Sequence, residues 1–228
     1  RQVLRDEFKF DLKSVQYFAG HSLGEYSALV CSQSLSFSDA LFLLHERGKA
    51  MQEAVPVGKG SMIAVLGLKF DEIINFLKKI KEIEGVCEIA NDNADGQVIL
   101  SGDKNSIDQL QISLKEKKIK FIPLKVSAPF HCSLMNPAAE IMKDKINSVE
   151  FKDPLFKIIN NVTATIEQDS EIIKKLLIDQ IFSTVRWRES LMNMSSLGIK
   201  NFIEIGPGKA LTGMVKRTVK QANCFSIN

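Results

Sequence analysis

The sequence predicts an α/β protein in which a small module is inserted into a larger unit. Stretches with strand and helix patterns alternate along most of the 228 residues, which is typical of a mostly parallel sheet covered on both faces. Residues 60–127 instead have the order βαββαβ, a split βαβ unit of the ferredoxin-like type. We therefore expect a larger subdomain formed by residues 1–59 and 128–228 and a smaller one formed by residues 60–127.

The first part of the larger unit contains a strand, a tight turn and a helix. Val15 to Ala19 is a short apolar run with a β-branched residue and two aromatic residues, which predicts a buried strand. Leu23 to Cys31 is rich in small and helix-favouring residues and predicts a helix. The first residues of the sequence, RQVLRDEF, also have the pattern of a helix.

The turn between that strand and helix has the sequence GHSLG, residues 20–24. In a GxSxG elbow the flanking Gly20 and Gly24 leave little room for side chains, while the Ser22 hydroxyl projects from the sheet edge. The N–H groups of the following helix would stabilise an oxyanion formed there. Because GxSxG also arises by chance, two interpretations stay open: a nucleophilic serine, or an N-cap serine between turn glycines.

The smaller module is predicted from changes in the hydrophobic period. Its segments are, in order, the strand SMIAVLGL, the helix DEIINFLKKIKEI opened by an Asp cap, the strands VCEIAN and QVILSG, the helix NSIDQLQISLKEK and the strand KFIPLKV. The two middle strands are separated by DNADG, which predicts a turn-rich link.

The elements on either side of the module return to the α/β pattern. They are a helix over about residues 37–54, a helix over 134–147, the strand FKIIN, helices over 171–182 and 188–197, the strand NFIEIG and a helix after GPGK. Ligands of such sheets bind at the carboxyl ends of the strands, and Ser22 is placed at such an end.

Composition and charge narrow the class of protein. The chain is 45% hydrophobic and 25% charged, as in an ordinary globular protein, and it has neither a membrane-length apolar run nor a signal-peptide pattern. Its four cysteines lack CxxC spacing and it has three histidines, so no structural zinc site is expected. A net charge of +3 does not indicate nucleic-acid binding, although the KRTVK cluster could meet an acidic partner. We expect a cytoplasmic protein.

A nucleophilic serine needs a base, and histidine is the usual base near neutral pH. His21 adjoins Ser22, but side chains diverge on an elbow, so it is expected to pack beside the sheet. His45 lies at the margin of an apolar helix stripe and is expected to be a partly buried structural residue. His131, in VSAPFHCSLM, follows a strand end where the module rejoins the larger unit. Its position in an interdomain cleft favours His131 over the other two.

Arg47 lies on the same helix as His45, at the other margin of the stripe formed by Phe37, Ala40, Leu41, Leu44, Gly48 and Met51. A charge there either reaches water along the side-chain stem or pairs with an anion. Beside a nucleophilic serine, a guanidinium would hold a substrate carboxylate with two parallel hydrogen bonds. The second interpretation predicts an acidic acyl group.

Four separated motifs extend these observations. GHSLGEYSAL, ERGKAMQEA, SAPFHCSLM and EIGPGKALTGMVKR resemble, in order and spacing, those of bacterial malonyl-CoA:acyl carrier protein transacylases. The resemblance covers essentially the whole chain and implies an α/β-hydrolase-like large subdomain with an inserted ferredoxin-like small subdomain. It implies transfer of malonyl from malonyl-CoA to acyl carrier protein through a malonyl-serine, for fatty acid biosynthesis, with no metal or other cofactor. We expect the protein to be a monomer.

The resemblance also assigns residues. Ser22 would be the nucleophile and His131 the base, with the backbone carbonyl of Gln180, in DQIFSTVRW, orienting the imidazole. Arg47 would hold the malonyl carboxylate, and the backbone N–H of Leu23 would donate to the oxyanion.

Three further residues would border the substrate. Phe130 resembles the bulky residue that accompanies malonyl rather than branched extender units. Asn93 and Gln97, in NDNADGQV, resemble a loop beside the site.

One family motif, GQGSQ, whose second glutamine helps form the oxyanion hole, is absent from these 228 residues. We expect it upstream of Arg1, and we expect weak activity and impaired folding without it. Alternatives are an acyltransferase domain of polyketide synthesis, a serine thioesterase or esterase, and a noncatalytic binding module. A hydrolase of this fold usually has its histidine last, after the acid, and no histidine follows His131.

Overall fold

The structure is a computed structural model that describes residues 6, 11, 14–80 and 83–227. Its strands are β1 (Tyr17–Ala19), β2 (Gly60–Leu66), β3 (Cys87–Ala94), β4 (Gln97–Asp103), β5 (Lys120–Pro123), β6 (Lys157–Ile159), β7 (Ile166–Glu167), β8 (Asn201–Ile205) and β9 (Asn223–Ile227). The helices are α1 (Leu23–Cys31), α2 (Phe37–Glu53), α3 (Phe70–Leu77), α4 (Lys104–Glu116), α5 (Asn136–Asn147), α6 (Ser170–Asp179), α7 (Trp187–Ser196) and α8 (Ala210–Thr218). The helix predicted over RQVLRDEF lies almost wholly outside the described residues. Within the described part of the chain, none of the helices has the length and apolar character that crossing a membrane requires.

The βαββαβ order predicted for the smaller module is confirmed. Its four strands form one sheet in the order β3-β4-β2-β5, with every neighbouring pair antiparallel. The apolar side chains on one sheet face pack with helices α3 and α4; this core is Ile63, Val65, Ile73, Val98, Leu100, Ile107, Leu110 and Leu114. The alternate strand positions face the other way and pack with Phe130. The module's elements fall between Gly60 and Pro123, while the exact subdomain bounds stay a prediction.

Two details of this module differ from the sequence prediction. Helix α3 is capped by Lys69, whose backbone N–H donates to Glu72 Oε2 at 2.6 Å, and not by an aspartate. Strand β3 also continues through Ala94, so the predicted five-residue link is a two-residue turn with Gly96 at φ +72°. The polar residues of NDNA resemble a turn in sequence. Their burial depends on tertiary contacts with the larger unit, which the sequence pattern does not contain. Two register shifts accommodate them in the strand.

The larger unit has helices and short, largely parallel strands. Strand β1 pairs in parallel with β6, β7 adds antiparallel to β6, and β8 pairs in parallel with β9. The strands predicted over FKIIN and NFIEIG are β6 and β8, whereas β7 and β9 were not predicted. Because β1 and β6 are adjacent and parallel, their carboxyl ends place the GHSLG turn beside Asn160 and Asn161.

The buried face of α2 is rotated from the predicted stripe. Phe37 and Leu41 are 68% and 53% exposed, and His45 is exposed as well. The face that enters the core is Ala40, Leu43, Arg47, Ala50 and Met51. Arg47 therefore lies in the middle of the buried face and not at its margin, so its charge needs polar partners inside the protein.

The GHSLG turn joins β1 to α1 with little space. Ser22 has φ 52° and ψ −111°, a conformation that costs a non-glycine residue free energy. A Cβ at Gly20 would lie 1.9 Å from the Gly24 carbonyl oxygen, which no real contact permits. A Cβ at Gly24 would meet none of the described atoms within 4 Å, so the expectation that both glycines are sterically required is wrong for Gly24.

Gly20→Ala should destabilise the protein while Gly24→Ala should not. We expect overpacking at Gly20 to cost about 1–3 kcal/mol of unfolding free energy. For a chain of this size that lowers the melting temperature by about 2–12 °C. Gly24→Ala is the matched control, since alanine in a helix is favoured over glycine by about 0.5–1 kcal/mol. Thermal unfolding followed by circular dichroism measures both; equal melting temperatures for the two variants would contradict the steric argument.

Candidate active site

The Ser22 hydroxyl lies between a histidine and an arginine. Its Oγ is 2.8 Å from His131 Nε2 and accepts a hydrogen bond from Arg47 Nη2 at 2.9 Å. Since Arg47 can only donate, the single hydroxyl proton of Ser22 is free to point at His131. The structure thus brings together three residues that are separated by up to 109 positions in the chain.

His131 is held in the tautomer that a base requires. Its Nδ1 is 2.8 Å from the backbone carbonyl oxygen of Gln180. A carbonyl only accepts, so Nδ1 carries the proton and the Nε2 lone pair faces Ser22. Burial and the neighbouring Arg47 charge lower the pKa of His131 to about 3, which keeps the imidazole neutral near neutral pH.

Gln180, at the C-terminal end of α6, contributes its side chain as well as its carbonyl. The side-chain Oε1 accepts from Arg47 Nη2 at 3.0 Å. The Nε2 group donates to Glu25 Oε2 at 2.6 Å and to the Ser22 carbonyl at 3.2 Å. The resemblance implied only a backbone role for Gln180, and a side-chain contact between distant elements leaves no local pattern in the sequence.

Arg47 is a buried cation with few partners. It is 7% exposed, and its guanidinium lies 6.0 Å from the centre of the Tyr26 ring. Its two hydrogen bonds described above both use Nη2, while its Nε has no partner among the described residues. Burial lowers the pKa of Arg47, and the neighbouring Tyr26 and Glu25 oppose that shift. A desolvated guanidinium in this state favours a nearby anion.

Asn161 holds the elbow from below and was missed by the sequence analysis. Its Oδ1 accepts from the Ser22 backbone N–H at 2.7 Å, and its Nδ2 donates to the Gly20 carbonyl at 2.8 Å. These two bonds bracket the residue with the unusual backbone angles. The available clue was position, since Asn161 follows strand β6 at the carboxyl edge of the sheet.

Glu25 was also missed, although it lies within the GHSLGEYSAL motif. Its carboxylate is 2% exposed and accepts from Gln180 Nε2 and from the Asn161 backbone N–H, at 2.6 and 3.2 Å. Burial raises the pKa of Glu25 to about 7, while those hydrogen bonds and Arg47 oppose the shift.

The other two histidines, His21 and His45, have no described hydrogen bond with Ser22 Oγ. His21 Nε2 lies 2.8 Å from Asn93 Oδ1, and an amide oxygen only accepts, so this nitrogen carries a proton. The ring packs edge-on against Trp187 at 5.6 Å between centroids. Burial lowers the pKa of His21. His45 is exposed, contrary to the expected partial burial.

The residues predicted to border the substrate lie in different parts of the structure. Asn93 is buried in β3 and contacts the elbow through His21, whereas Gln97 accepts from Arg217 Nη1 at 2.7 Å and takes no part in the contacts described around Ser22. Phe130 packs against the large core and against the small sheet. Leu23 is the first residue of α1, so its N–H has no acceptor within the helix. Among the described residues no group of three or more His, Cys, Asp or Glu side chains could hold a metal ion.

Comparisons with known proteins agree with this arrangement. A family model described as acyl transferase domain matches residues 14–227. The malonyl CoA-acyl carrier protein transacylase of Bacillus subtilis is 39% identical over 224 residues, which are 98% of this chain and 71% of that protein. An acyl carrier protein S-malonyltransferase from Vibrio cholerae has a TM-score of 0.93 at 39% identity, covering 99% of this chain and 73% of its own. A malonyl-transacylase solved in complex with a type II PKS acyl-carrier protein has a TM-score of 0.92 at 38% identity, with 99% and 72% covered.

The chain therefore belongs to the malonyl CoA-acyl carrier protein transacylase family of acyl transferase domains. The resemblance stated from the four motifs is confirmed. The predicted fold class, an α/β-hydrolase-like subdomain with an inserted ferredoxin-like subdomain, is confirmed with it.

Proposed function

We propose that this protein transfers the malonyl group of malonyl-CoA to the phosphopantetheine thiol of acyl carrier protein, through an ester on Ser22. The observation that carries the proposal is the pair of contacts at Ser22 Oγ, with His131 Nε2 at 2.8 Å and Arg47 Nη2 at 2.9 Å. A neutral base and a buried cation at one hydroxyl suit attack on an acyl group that bears a negative charge. The names of the related proteins support the same donor and acceptor.

In the first half-reaction, Ser22 Oγ attacks the thioester carbonyl and its proton passes to His131 Nε2. The tetrahedral intermediate is stabilised by the Leu23 N–H at the start of α1. When the carbon–sulfur bond breaks, His131 returns the proton to the departing sulfur, so free CoA leaves and malonyl-Ser22 remains. His131 is anchored by a neutral carbonyl and not by a carboxylate, so its imidazolium gives up the proton readily.

In the second half-reaction, the carrier thiol takes the place of CoA. His131 Nε2 accepts the thiol proton as sulfur attacks the ester carbonyl, and the proton returns to Ser22 Oγ as the ester bond breaks. The products are malonyl carrier protein and the free serine. Water must be excluded while the ester waits, because it would release malonate instead.

Arg47 is assigned to the malonyl carboxylate, with Phe130 beside the acyl group. The Arg47 charge is one of the two main causes of the low pKa of His131. A carboxylate bound to Arg47 offsets that charge, so an acidic acyl group strengthens the base that it needs. Acetyl groups lack this effect.

We further propose that the protein acts in fatty acid biosynthesis, as a cytoplasmic monomer that binds neither nucleic acid nor membranes. The net charge of +3 is too small to indicate nucleic-acid binding. All four cysteines are free thiols, which suits a reducing compartment.

The proposal is tested by incubating the protein with malonyl-CoA and following Ser22 by intact-protein and peptide mass spectrometry. We expect one malonyl group on Ser22, none on the Ser22→Ala control, and loss of the group when holo acyl carrier protein is added. Transfer of malonyl to the carrier distinguishes this enzyme from a thioesterase. Rapid release of free malonate without a carrier would favour the hydrolase, and an unlabelled Ser22 would favour a noncatalytic module.

Arg47→Ala should reduce malonyl transfer far more than acetyl transfer. Loss of a buried charge-assisted contact predicts a decrease of about 10- to 100-fold in kcat/KM for malonyl-CoA. Because Arg47 also contacts Ser22 and Gln180, the measured quantity is the ratio of kcat/KM for malonyl-CoA to that for acetyl-CoA. Arg47→Lys keeps the charge but not the planar set of donors. We expect its ratio to lie between the ratios of the wild type and Arg47→Ala. Equal losses for both donors would contradict the carboxylate assignment.

A further inference from the structure

Glu25 is a buried acid that takes no direct part in the two half-reactions. It lies one helical turn after Ser22, in the first turn of α1, and is 2% exposed. Its two described side-chain hydrogen bonds both use Oε2, which accepts from Gln180 Nε2 and from the Asn161 backbone N–H. Neither partner is a reacting atom. Removing a carboxyl group from water costs free energy, which its hydrogen-bond partners must offset.

The first consequence of Glu25 is the orientation of the Gln180 side-chain amide. An amide has one accepting and one donating end. Glu25 Oε2 accepts from the Asn161 backbone N–H, so it is an accepting oxygen whether or not the carboxyl group is protonated. Glu25 therefore fixes the Gln180 NH₂ group toward itself, at 2.6 Å, and leaves Oε1 toward Arg47, at 3.0 Å. With the amide reversed, two donors would face each other at Arg47.

The second consequence is a connection between the base and the nucleophile. The Gln180 backbone carbonyl anchors His131 Nδ1, and Asn161 brackets the elbow at Gly20 and Ser22. Glu25 Oε2 is bonded to both Gln180 and Asn161, so one oxygen atom links the two supports. Movement of either support would change the distance between Ser22 Oγ and His131 Nε2.

We propose that Glu25 is a positioning residue for acyl transfer, which acts by holding the Gln180 amide so that Arg47 keeps its acceptor and His131 its carbonyl anchor. This proposal rests on the proposed function of the same site. The requirement is for an accepting oxygen at the right distance, not for a negative charge. The charged or titratable groups next to Glu25 are Arg47 on α2 and Tyr26 on its own helix, while Asn161 and Gln180 are neutral.

Two matched variants distinguish the effect of side-chain length at Glu25 from the effect of its charge. Glu25→Gln keeps the accepting oxygen at the same distance but removes the charge, and Glu25→Asp keeps the charge but is one methylene shorter. We expect Glu25→Gln to form malonyl-Ser22 within about threefold of the wild-type single-turnover rate, and Glu25→Asp to be about tenfold or more slower. The reverse order would overturn the proposal, because it would make the charge the important property.

A double-mutant cycle with Gln180→Ala tests the route of the effect. If Glu25 acts through the Gln180 side chain, Glu25→Asp should slow the Gln180→Ala protein by less than about twofold. A loss as large as in the wild-type background would overturn the proposal. If Glu25 only stabilised the fold, its substitution would lower the fraction of active protein but not the rate per active site. Each rate is therefore divided by the fraction of Ser22 that a fluorophosphonate labels at completion.

The same reagent separates failure of this inference from failure of the proposed function. Fluorophosphonates react with an activated serine and need no malonyl donor, so their initial labelling rate reports the Ser22–His131 geometry alone. If the wild-type protein reacts with the fluorophosphonate but not with malonyl-CoA, the transacylase assignment fails while the variant order still tests Glu25. If Glu25→Gln and Glu25→Asp both match the wild type in labelling rate, Glu25 has no positioning role.

Discussion

Burial of the Arg47 guanidinium beside Ser22 is the constraint on which the arrangement of the site depends. A cation taken out of water needs acceptors, and the described ones are the Ser22 hydroxyl and the Gln180 amide oxygen, with the Tyr26 ring nearby. The amide can offer its oxygen only if its NH₂ group is occupied elsewhere, which Glu25 ensures. The polar interior around Ser22 is therefore a connected set of contacts, in which each group restricts the orientation of the next.

The same constraint sets the protonation of His131. His131 is neutral because it is buried and because Arg47 is close, and a carbonyl instead of a carboxylate supports its Nδ1 proton. Such an imidazole is a weak base until a negative charge arrives at Arg47. Under the proposed function, the acyl group supplies that charge through its own carboxylate. Selectivity for an acidic acyl group then arises in the rate of attack as well as in binding.

Features whose position depends on the local backbone pattern could be predicted from the sequence. GHSLG predicted the elbow and Ser22, and the change from a period of two to a period of 3.6 predicted the order of the small module. The position of His131 followed from its place after the inserted module. These predictions rest on neighbours in the chain, which the sequence contains directly.

Features that depend on tertiary contacts were missed or misplaced. The buried face of α2 was predicted incorrectly because Phe37 and Leu41 are exposed although apolar, while Arg47 is buried although charged. Strand β3 was ended too early because Asn91, Asp92 and Asn93 are buried polar residues, which resemble a turn in sequence. Glu25 and Asn161 could not be found from spacing, since their partners lie 155 and 139 residues away in the chain.

The protonation of His131 is the most direct test of this account. Imidazole ¹⁵N chemical shifts of ring-labelled protein, assigned with His131→Asn, should be recorded from about pH 5 to about pH 8, where an ordinary histidine titrates. With a pKa of about 3, His131 should keep a protonated Nδ1 and an unprotonated Nε2 across that range. An Nε2-protonated tautomer, or a titration with a midpoint near an unperturbed pKa of about 6.5, would contradict the account.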